Sequence, residues 1–341
     1  MRIGIAFDLV PADRGDGPDD RFEEFDKPET VEAIAAVLRS EGHEISMLGD
    51  GREFLEKVLA DPPDFVFNIA EGQGVGRSRE ARVPAVLEML GIPYSGSDPL
   101  TLAAALDKDV ARRLVGDHGV RVPRGGLATY VQGSLRIGTA LKEGSPTFPV
   151  ILKPAFEGSS KGIRGRCLAA TEAEVAEIFG SLTREYQQPI LVEEFISGDE
   201  VTVGVVGNAP SPTVLGALRI SPRVPTDRFV YSLEVKRDWA NRVDYEAPAR
   251  LPSLVFERLR IAATTSYHAL GCRDVARIDF RIKDGVPYFI EANPLPGLDQ
   301  VTGDLVILAE GHGLSHGDLI RRILRSALTR VGLAPAPAAS T

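Results

Sequence analysis

Four side chains late in the sequence have the types and the spacing of a divalent-metal site. Arg277 and Asp279 are two residues apart in one apolar run, and Glu291 and Asn293 are two apart in the next. The Asp-Gly pair at 284–285 between these runs predicts a β-hairpin, and residues i and i+2 share one face of a strand. Two carboxylates and an amide oxygen on one face suit Mg²⁺, which also binds substrate phosphates. The alternative interpretation is a solvated hairpin face that carries a surface ion pair.

A glycine-rich turn after a buried strand is the second candidate. Lys153 follows the apolar run VIL, and residues 157–162 read Glu-Gly-Ser-Ser-Lys-Gly. Glycine lets the backbone approach a phosphate closely, while hydroxyl and N–H groups supply hydrogen-bond donors. The turn does not fit the P-loop pattern GxxxxGK[ST], so we interpret it as a mobile lid over a nucleotide. An ordinary hairpin loop rich in Gly and Ser is the alternative.

Acidic residues at the end of another predicted strand suit the polar groups of a nucleoside. Glu193 and Glu194 lie in LVEEF, and Glu200 follows in GDEVTV. Carboxylates at these positions could accept hydrogen bonds from an adenine amino group and a ribose diol. Exposed loop carboxylates are the alternative. Lys108 and Lys236 are weaker candidates, because an isolated lysine is most often a surface residue.

The elements that must position these groups alternate between strands and helices. Three short apolar runs, 2–9, 43–49 and 64–70, are separated by stretches with apolar residues at helical spacing. This alternation predicts an α/β protein whose first domain is a parallel, doubly wound sheet. The polar stretch 11–26 is rich in Asp, Gly and Arg, and we expect it to be a mobile loop.

Composition limits the class of protein. The chain has 341 residues, 43% hydrophobic and 26% charged, which is typical of a globular protein with two or three domains. Its net charge of −9 argues against a general binder of nucleic acid or anionic membranes. Its two cysteines cannot build a disulfide framework or a four-cysteine zinc site. We find no signal peptide and no run near the roughly 20 apolar residues that span a membrane. We therefore expect a soluble, cytoplasmic protein.

Six blocks of the sequence, in this order, resemble the D-alanine–D-alanine ligase group of the ATP-grasp superfamily. They are FVFNIAEG (65–72), GIPYSGSDPLTLAAALDK (91–108), PVILKPAFEGSSKGI (149–163), LVEEFISGDEVTV (191–203), ARIDF (276–280) and FIEANPLPG (289–297). The resemblance covers roughly residues 60–325 and is poorest over the first 25. It implies a three-domain α+β ATP-grasp fold in which ATP is clasped between the central and C-terminal domains. The implied units are an N-terminal α/β domain (1–100), a central domain with the lid loop (101–189), a C-terminal domain with the metal site (190–330) and a disordered tail (331–341).

The resemblance also implies roles for single residues. The ATP phosphates would be contacted by Lys108, Lys153 and, at the γ-phosphate, Lys236. The lid loop would contain Ser159, Ser160 and Gly162. The adenine pocket would be lined by Glu193, Glu194, Phe195 and Ile196, with Glu200 on the ribose. Two Mg²⁺ ions, or Mn²⁺ in their place, would be held by Asp279, Glu291 and Asn293. An oxyanion would be stabilised by Arg277 and the backbone N–H of Gly297.

The match fails at the amino-acid subsites. The His-Gly motif of the family is Glu71-Gly72 here, the tyrosine after the loop lysine is Arg237, and the Ser-Leu pair is Thr302-Gly303. The N-terminal glutamate motif of the family is missing, and the residues that could replace it are Glu23, Glu24 and Asp26. Arg77, Arg79 and Arg237 could receive a carboxylate or a larger acidic group, since arginine presents a bidentate fork. Ordinary surface arginines are the alternative. The candidate substrate residues are therefore Glu71, Arg79, Arg237, Thr302 and Gly303.

Together these features predict an ATP-dependent ligase that joins a carboxylate to an amine through an acyl phosphate, releasing ADP and phosphate. The substrates would be amino acids or similar small carboxylic acids. Two alternatives stay open: an authentic D-alanine–D-alanine ligase of cell-wall synthesis, and a non-catalytic ATP-binding regulatory module. Arg277 and Lys236 favour catalysis, because ATP binding alone does not require an oxyanion arginine. A homodimer is common in the family and is an expectation here, with no nucleic-acid or membrane partner.

Overall fold

The structure of the protein is a computed structural model that describes residues 1–13, 15–131, 134–138 and 146–333. Three β-sheets organise these residues. In the described ranges, no helix has the length and apolar character needed to cross a membrane. Most of the predicted disordered tail, residues 334–341, lies outside the described part of the chain.

A three-stranded parallel sheet with the order β2-β1-β3 forms the first unit. Its elements are β1 (Arg2–Ala6), α1 (Pro28–Ser40), β2 (Glu44–Gly49), α2 (Gly51–Ala60), β3 (Phe65–Asn68) and α3 (Arg82–Leu90). Side chains alternate along a strand, so Phe65 and Phe67 pack with α1 while Val66 between them packs with α2 and α3. Helices thus cover both faces, and the predicted doubly wound α/β arrangement is confirmed.

Two short helices connect the first unit to the second: α4 (Pro99–Leu106) and α5 (Lys108–Asp117). Asp107 separates them, because its carboxylate accepts hydrogen bonds from the backbone N–H groups of Asp109 and Val110 at 3.2 and 3.1 Å. An aspartate at this position satisfies amides that the first turn of a helix leaves free. The cap therefore fixes where α5, and with it the candidate Lys108, begins.

The second unit is an antiparallel sheet with the order β5-β4-β8-β6-β7. Its elements are β4 (Gly125–Val131), β5 (Ser134–Ile137), β6 (Val150–Pro154), β7 (Leu168–Ala169), α6 (Glu172–Tyr186) and β8 (Ile190–Glu194). The sequence predicts that the third domain begins at residue 190, but β8 is hydrogen-bonded between β4 and β6. Its Ile190 and Val192 pack in the core beneath α6, so we place β8 in the second unit. The other domain boundaries stay predictions.

The third unit is a five-stranded antiparallel sheet with the order β11-β10-β9-β12-β13. Its strands are β9 (Asp199–Val206), β10 (Thr213–Pro222), β11 (Val243–Glu246), β12 (Val275–Lys283) and β13 (Val286–Asn293). Its helices are α7 (Leu233–Arg237), α8 (Trp239–Arg242), α9 (Ser253–Leu270), α10 (Asp304–Gly311) and α11 (His316–Arg330). Ala111 and Val115 of α5 belong to the core that α9 and β13 share, so α5 packs on this sheet.

The sequence predicts a mobile loop over residues 11–26. In the structure its segment 16–24, which we call the N-terminal loop, is instead held by buried polar contacts. Asp20 is fully buried and accepts hydrogen bonds from the hydroxyl of Tyr186 at 2.7 Å and from the backbone N–H of Gly162 at 3.1 Å. Arg164 lies 3.2 Å from the same carboxylate. The polar composition misled the prediction, because the partners that satisfy these charges lie more than 130 residues away in sequence.

Asp274 ties the first and third units together. It has no exposed surface, and its carboxylate accepts hydrogen bonds from the backbone N–H of Gly96 (2.9 Å), from Asn208 (2.8 Å) and from Arg330 of α11 (2.7 Å). A buried carboxylate is tolerated when hydrogen bonds and a counter-charge surround it. Its loss would leave the largely buried Arg330 guanidinium without a counter-charge.

We expect Asp274→Ala to lower the free energy of unfolding by about 3 kcal/mol, because it breaks a buried ion pair by removing one partner. Urea denaturation at neutral pH measures the change. Asp117→Ala, at an exposed position at the end of α5, is the control and should change the free energy by less than about 0.5 kcal/mol. Equally small effects in both variants would contradict this role of Asp274.

Candidate active site

The β12–β13 hairpin brings together the four residues singled out in the sequence. Arg277 is paired with Asn293 and Asp279 with Glu291, so the predicted hairpin brings the four side chains together. The register shifts by one residue between Asp279 and Phe280, and without this shift the Asp-Gly turn would set Asp279 opposite Ile290. The Arg277 guanidinium donates to both oxygens of Asp279, at 3.1 and 2.9 Å, and lies 3.9 Å from Glu291. Asn293 donates to Asp279 at 3.3 Å. The alternative of a solvated hairpin face is wrong, because Arg277 is only 8% exposed.

Two cations, Lys108 and Arg277, neutralise the charge of Asp279 and Glu291. Lys108, at the start of α5, lies 2.8 Å from Glu291, and Arg277 also lies 3.6 Å from Asp304. Burial raises the pKa of Asp279 above its usual value, although the charge of Arg277 opposes this shift. Burial would also raise the pKa of Glu291, but the charges of Lys108, Lys153 and Arg277 hold it well below its usual range. The two neighbouring carboxylates therefore differ in proton affinity.

The donor set of this hairpin fits a phosphate-bound Mg²⁺. It offers two carboxylates and one amide oxygen, and no group of three or more His, Cys, Asp or Glu side chains in the described ranges could hold a metal unaided. Mg²⁺ usually binds through one or two carboxylates and completes its shell with phosphate oxygens and water. Like charges facing each other across a strand pair also favour an added cation. Asp279, Glu291 and Asn293 are thus suitable metal ligands.

A cleft between the second and third sheets contains most of the residues predicted to bind the nucleotide. Its walls include Lys153, Ser160, Glu193, Glu194, Phe195, Ile196, Glu200 and Lys236. Lys153 and Glu193 form a buried ion pair at 2.8 Å. Glu200 is held by Arg281 at 2.8 Å, and that guanidinium stacks over the Phe195 ring with its carbon 5.0 Å from the ring centroid. The cleft therefore combines an apolar, aromatic wall with fixed polar groups, as ligand sites do.

The glycine-rich turn lies at the edge of this cleft in a strained conformation. Ser159 and Ser160 have φ of +47° and +60°, a region that costs an ordinary residue on the order of 1 kcal/mol. The Ser160 hydroxyl donates to the carbonyl of Tyr231 at 2.9 Å. The Gly162 N–H, predicted to lie in the lid, donates to Asp20, and Gly162 is not among the residues that line the cleft. The turn is therefore held by the third unit and by the N-terminal loop.

A second, more polar cavity of about 350 Å³ adjoins the cleft. The predicted catalytic and substrate residues in its wall are Glu71, Ser159, Lys236, Arg237, Arg277, Gly297, Thr302 and Gly303, and the predicted phosphate ligand Lys108 lines it too. Tyr231, Lys236 and Asp304 line both the cleft and this cavity, so they mark the junction between the two spaces. The Lys236 ammonium lies 5.1 Å from the centre of the Tyr231 ring and has no ion pair among the described residues. A cation without a counter-charge at the junction is suited to an anionic group.

Arg79, one of the predicted substrate residues, is used by the protein itself. It is 1% exposed and donates to the Phe156 carbonyl at 2.6 Å and to Glu24 at 2.9 Å. Glu24 also lies 2.5 Å from Lys161 and accepts the backbone N–H of Gly158 at 2.6 Å. The carboxylate-binding role predicted for Arg79 is therefore wrong. Spacing in the sequence could not show that the N-terminal loop supplies its counter-charge.

Arg237 lies in the wall of the cavity but is also paired. Its guanidinium donates to Asp19 and Glu23, each at 2.7 Å, and these bonds join α7 to the N-terminal loop. Glu71 is positioned by Gly72, whose φ is +78° and where an added Cβ would lie 2.5 Å from the Arg79 carbonyl oxygen. The Gly72 N–H donates to the buried Asp8 at 2.9 Å. Only glycine fits there, which fixes the Glu71 backbone at the cavity wall.

Residues that the sequence analysis did not select also line the cavity. Tyr231 and Tyr245 share a hydrogen bond between their hydroxyls, and Tyr231 lies 3.5 Å from Asp304. Burial raises the pKa of both tyrosines, so they stay protonated at neutral pH. Glu80, which follows Arg79, is 7% exposed and lines the cavity. A carboxylate at the start of a helix gives no signal of its own, because acidic residues are common there.

The pH dependence of stability tests the Glu24 cluster. Burial raises the pKa of Glu24, but Lys161 and Arg79 together lower it to about 2. A depressed pKa stabilises the folded state above the unfolded-state value near 4.5, and this contribution is lost as the pH falls towards 2. We expect Glu24→Gln to cost about 3 kcal/mol at pH 7. The difference from wild type should shrink between pH 4.5 and pH 2, as measured by urea denaturation. Glu29→Gln on the exposed face of α1 is the control, and a pH-independent cost of Glu24→Gln would contradict the charge pairing.

The sequence and the structure are both similar to known proteins. The family model described as "D-ala D-ala ligase C-terminus" matches residues 137–325. A D-alanine–D-alanine ligase of Syntrophotalea carbinolica is 31% identical over 301 residues, which are 88% of this chain and 91% of that protein.

Two solved structures share the fold. The D-alanine–D-alanine ligase of Bacillus anthracis complexed with ATP has a TM-score of 0.73 at 24% identity, covering 97% of this chain and 98% of that one. The VanG D-Ala:D-Ser ligase of Enterococcus faecalis has a TM-score of 0.69 at 20% identity, covering 96% and 99%. The fold is therefore that of these ATP-grasp ligases. With the family match and the 31% identity, these findings show that the chain belongs to the D-alanine–D-alanine ligase family.

Proposed function

We propose that the protein is an ATP-dependent ligase that joins the carboxylate of a small amino acid or similar acid to an amine, releasing ADP and phosphate. The observation that carries this proposal is the junction between the cleft and the cavity. Lys236 lies there without an ion pair among the residues described, and Arg277, only 8% exposed, lines the cavity beside it. ATP in the cleft and an amino acid in the cavity would meet at these cations.

The reaction proceeds in two steps. A carboxylate oxygen of the first substrate attacks the γ-phosphorus of ATP, and the bond from that phosphorus to the β–γ bridging oxygen breaks, giving an acyl phosphate and ADP. The amine of the second substrate then attacks the acyl carbon, loses a proton, and displaces inorganic phosphate. Phosphoryl transfer depends mainly on positioning and on neutralising charge.

The residues of this chain divide these tasks. Asp279, Glu291 and Asn293 would hold Mg²⁺, which when bound neutralises charge on the phosphate oxygens. Lys236 binds the transferred phosphate, and Arg277 with the N–H of Gly297 stabilises the oxyanion of the tetrahedral state. The glycine-rich turn and the N-terminal loop exclude water from the acyl phosphate.

The proposal also concerns which amino acids are the substrates. The relatives named above are D-alanine–D-alanine and D-Ala:D-Ser ligases, and the same amino acids are the first candidates here. The cavity nevertheless carries Glu71, the paired Arg237 and Thr302-Gly303 in the places where the family has other residues. We propose altered subsites, in a cytoplasmic enzyme. Dimerisation stays a prediction.

The test is release of ADP and phosphate from purified protein with ATP and Mg²⁺ in the presence of pooled D- or L-amino acids. We expect turnover with at least one pool and a dipeptide or amide product identifiable by mass spectrometry. Turnover with D-alanine alone would identify an authentic D-alanine–D-alanine ligase. Bound ATP without turnover in any pool would contradict the ligase and favour the regulatory ATP-binding module.

Removing one metal ligand should separate catalysis from folding. We expect Glu291→Gln to lower ADP formation at least about 100-fold, since the metal loses one of its two carboxylates. Chelation by EDTA should have the same effect and be reversed by Mg²⁺. Asp284→Asn, in the exposed turn of the same hairpin, is the control and should keep normal activity. Normal turnover by Glu291→Gln would show that the metal assignment is wrong.

A further inference from the structure

The wall of the polar cavity beside the cleft holds more carboxylates than it has ion pairs. Four of its acidic side chains have a cationic partner. These pairs are Glu23 with Arg237 (2.7 Å), Glu24 with Lys161 (2.5 Å), Asp299 with Lys27 (3.7 Å) and Asp304 with Arg277 (3.6 Å). Three others, Asp26, Glu71 and Glu80, have no ion pair and no side-chain hydrogen bond to any residue in the described part of the chain.

These three carboxylates come from separate segments of the first unit. Asp26 precedes α1, Glu71 follows β3, and Glu80 precedes α3, so the fold rather than local sequence brings them to one cavity. Glu80 is more than nine-tenths buried, and the surface it keeps belongs to the cavity wall. A buried carboxylate without a partner is costly, and the usual compensation is a cation. The arrangement is therefore suited to a positively charged ligand.

The proton affinities of the three groups agree with this geometry. Burial raises the pKa of Asp26 to about 7, and Asp299 adds to the shift. Burial raises the pKa of Glu80 to about 8, although the more distant charges of Arg79, Lys108 and Lys161 oppose the shift. Burial also raises the pKa of Glu71 well above its usual value, with Glu80 as its strongest acidic neighbour and Arg79 opposing the shift. A bound cation would lower all three values, because it favours the charged carboxylates.

The number of unpaired carboxylates indicates how many positive charges the ligand carries. A single α-ammonium carries one charge and three N–H donors, so it can neutralise one carboxylate of the three. The volume of about 350 Å³ is near the lower end of ligand sites, so the ligand is a small molecule and not a peptide segment. The same cavity contains Arg277 and Lys236, where the reacting carboxylate would lie.

We propose that this polar cavity beside the cleft binds an amino acid with a basic side chain, an amine or a guanidinium in addition to its α-amino group, with Glu71, Glu80 and Asp26 holding the two cations. This inference rests on the proposed function, because it takes the cavity to be the amino-acid site. It differs from that function in predicting a charge requirement that D-alanine does not meet.

Binding, measured with an ATP analogue, and turnover, measured with ATP on the same protein preparation, test the inference. Isothermal titration with a non-hydrolysable ATP analogue and Mg²⁺ compares lysine with norleucine, and arginine with citrulline, each as D and L forms. We expect one basic amino acid to bind at least about tenfold more tightly than its neutral analogue, as a buried charge pair requires. The affinity for lysine compared with that for arginine then shows whether the cavity prefers an amine or a guanidinium.

A variant of the most buried carboxylate provides the second measurement. Glu80→Gln should weaken binding of the basic amino acid at least about tenfold and leave that of the neutral analogue unchanged. Its urea midpoint without ligand should stay the same or rise, since the buried carboxyl that it replaces has no ion pair or side-chain hydrogen bond to lose; a merely structural role would lower it. Glu56→Gln, at an exposed position on α2, should change neither affinity nor midpoint.

The outcomes separate this inference from the proposed function. Equal binding of the basic and neutral analogues, or binding of neither, overturns the inference, as does an equal loss for both in Glu80→Gln. If D-alanine or another neutral amino acid still gives ADP in that case, the ligase stands without the charge requirement. If a basic amino acid binds selectively but no pool yields ADP, the charge requirement stands and the ligase fails.

Discussion

The neutralisation of buried charge is the constraint on which the rest of this structure depends. Glu24 illustrates it, because one carboxylate accepts a bond from Arg79 of the first unit and contacts Gly158 and Lys161 of the second. Each of these side chains would be costly alone, and each is stable only when the N-terminal loop lies against the glycine-rich turn. Arg277 similarly forms ion pairs with both Asp279 and Asp304. Charge pairing thus defines how the three sheets meet.

Much of the fold and of the nucleotide end of the site could be predicted from the sequence. The alternation of strands with helices predicted the doubly wound sheet, and the Asp-Gly turn predicted the hairpin, because both signals are local. The pairing of Asp279 with Glu291 also needs a one-residue shift of register after Asp279, which the turn does not encode. The amino-acid end could not be predicted in the same way. Arg79 is enclosed by Glu24 and Glu157, and only the tertiary fold brings these residues together. The position of β8 between β4 and β6 was missed for the same reason, since strand order is set by long-range pairing.

The larger of the two joined spaces carries fixed charges of both signs. Lys236 and Asp304 lie at the junction, and Arg277, Glu71, Glu80 and Asp26 line the cavity. An amino acid also carries both signs, with a carboxylate at one end and an ammonium at the other. Fixed charges of both signs would favour one orientation of such a ligand before any chemistry takes place, which is the kind of preorganisation that positioning catalysis requires.

The N-terminal loop contacts both the glycine-rich turn, through Asp20 and Glu24, and α7, through Asp19 and Glu23. The segment therefore links the turn at the edge of the cleft to the helix at the wall of the cavity. A displacement of this segment would break polar contacts at both places together. The two spaces are thus mechanically coupled through a stretch of chain that belongs to neither of the two large sheets.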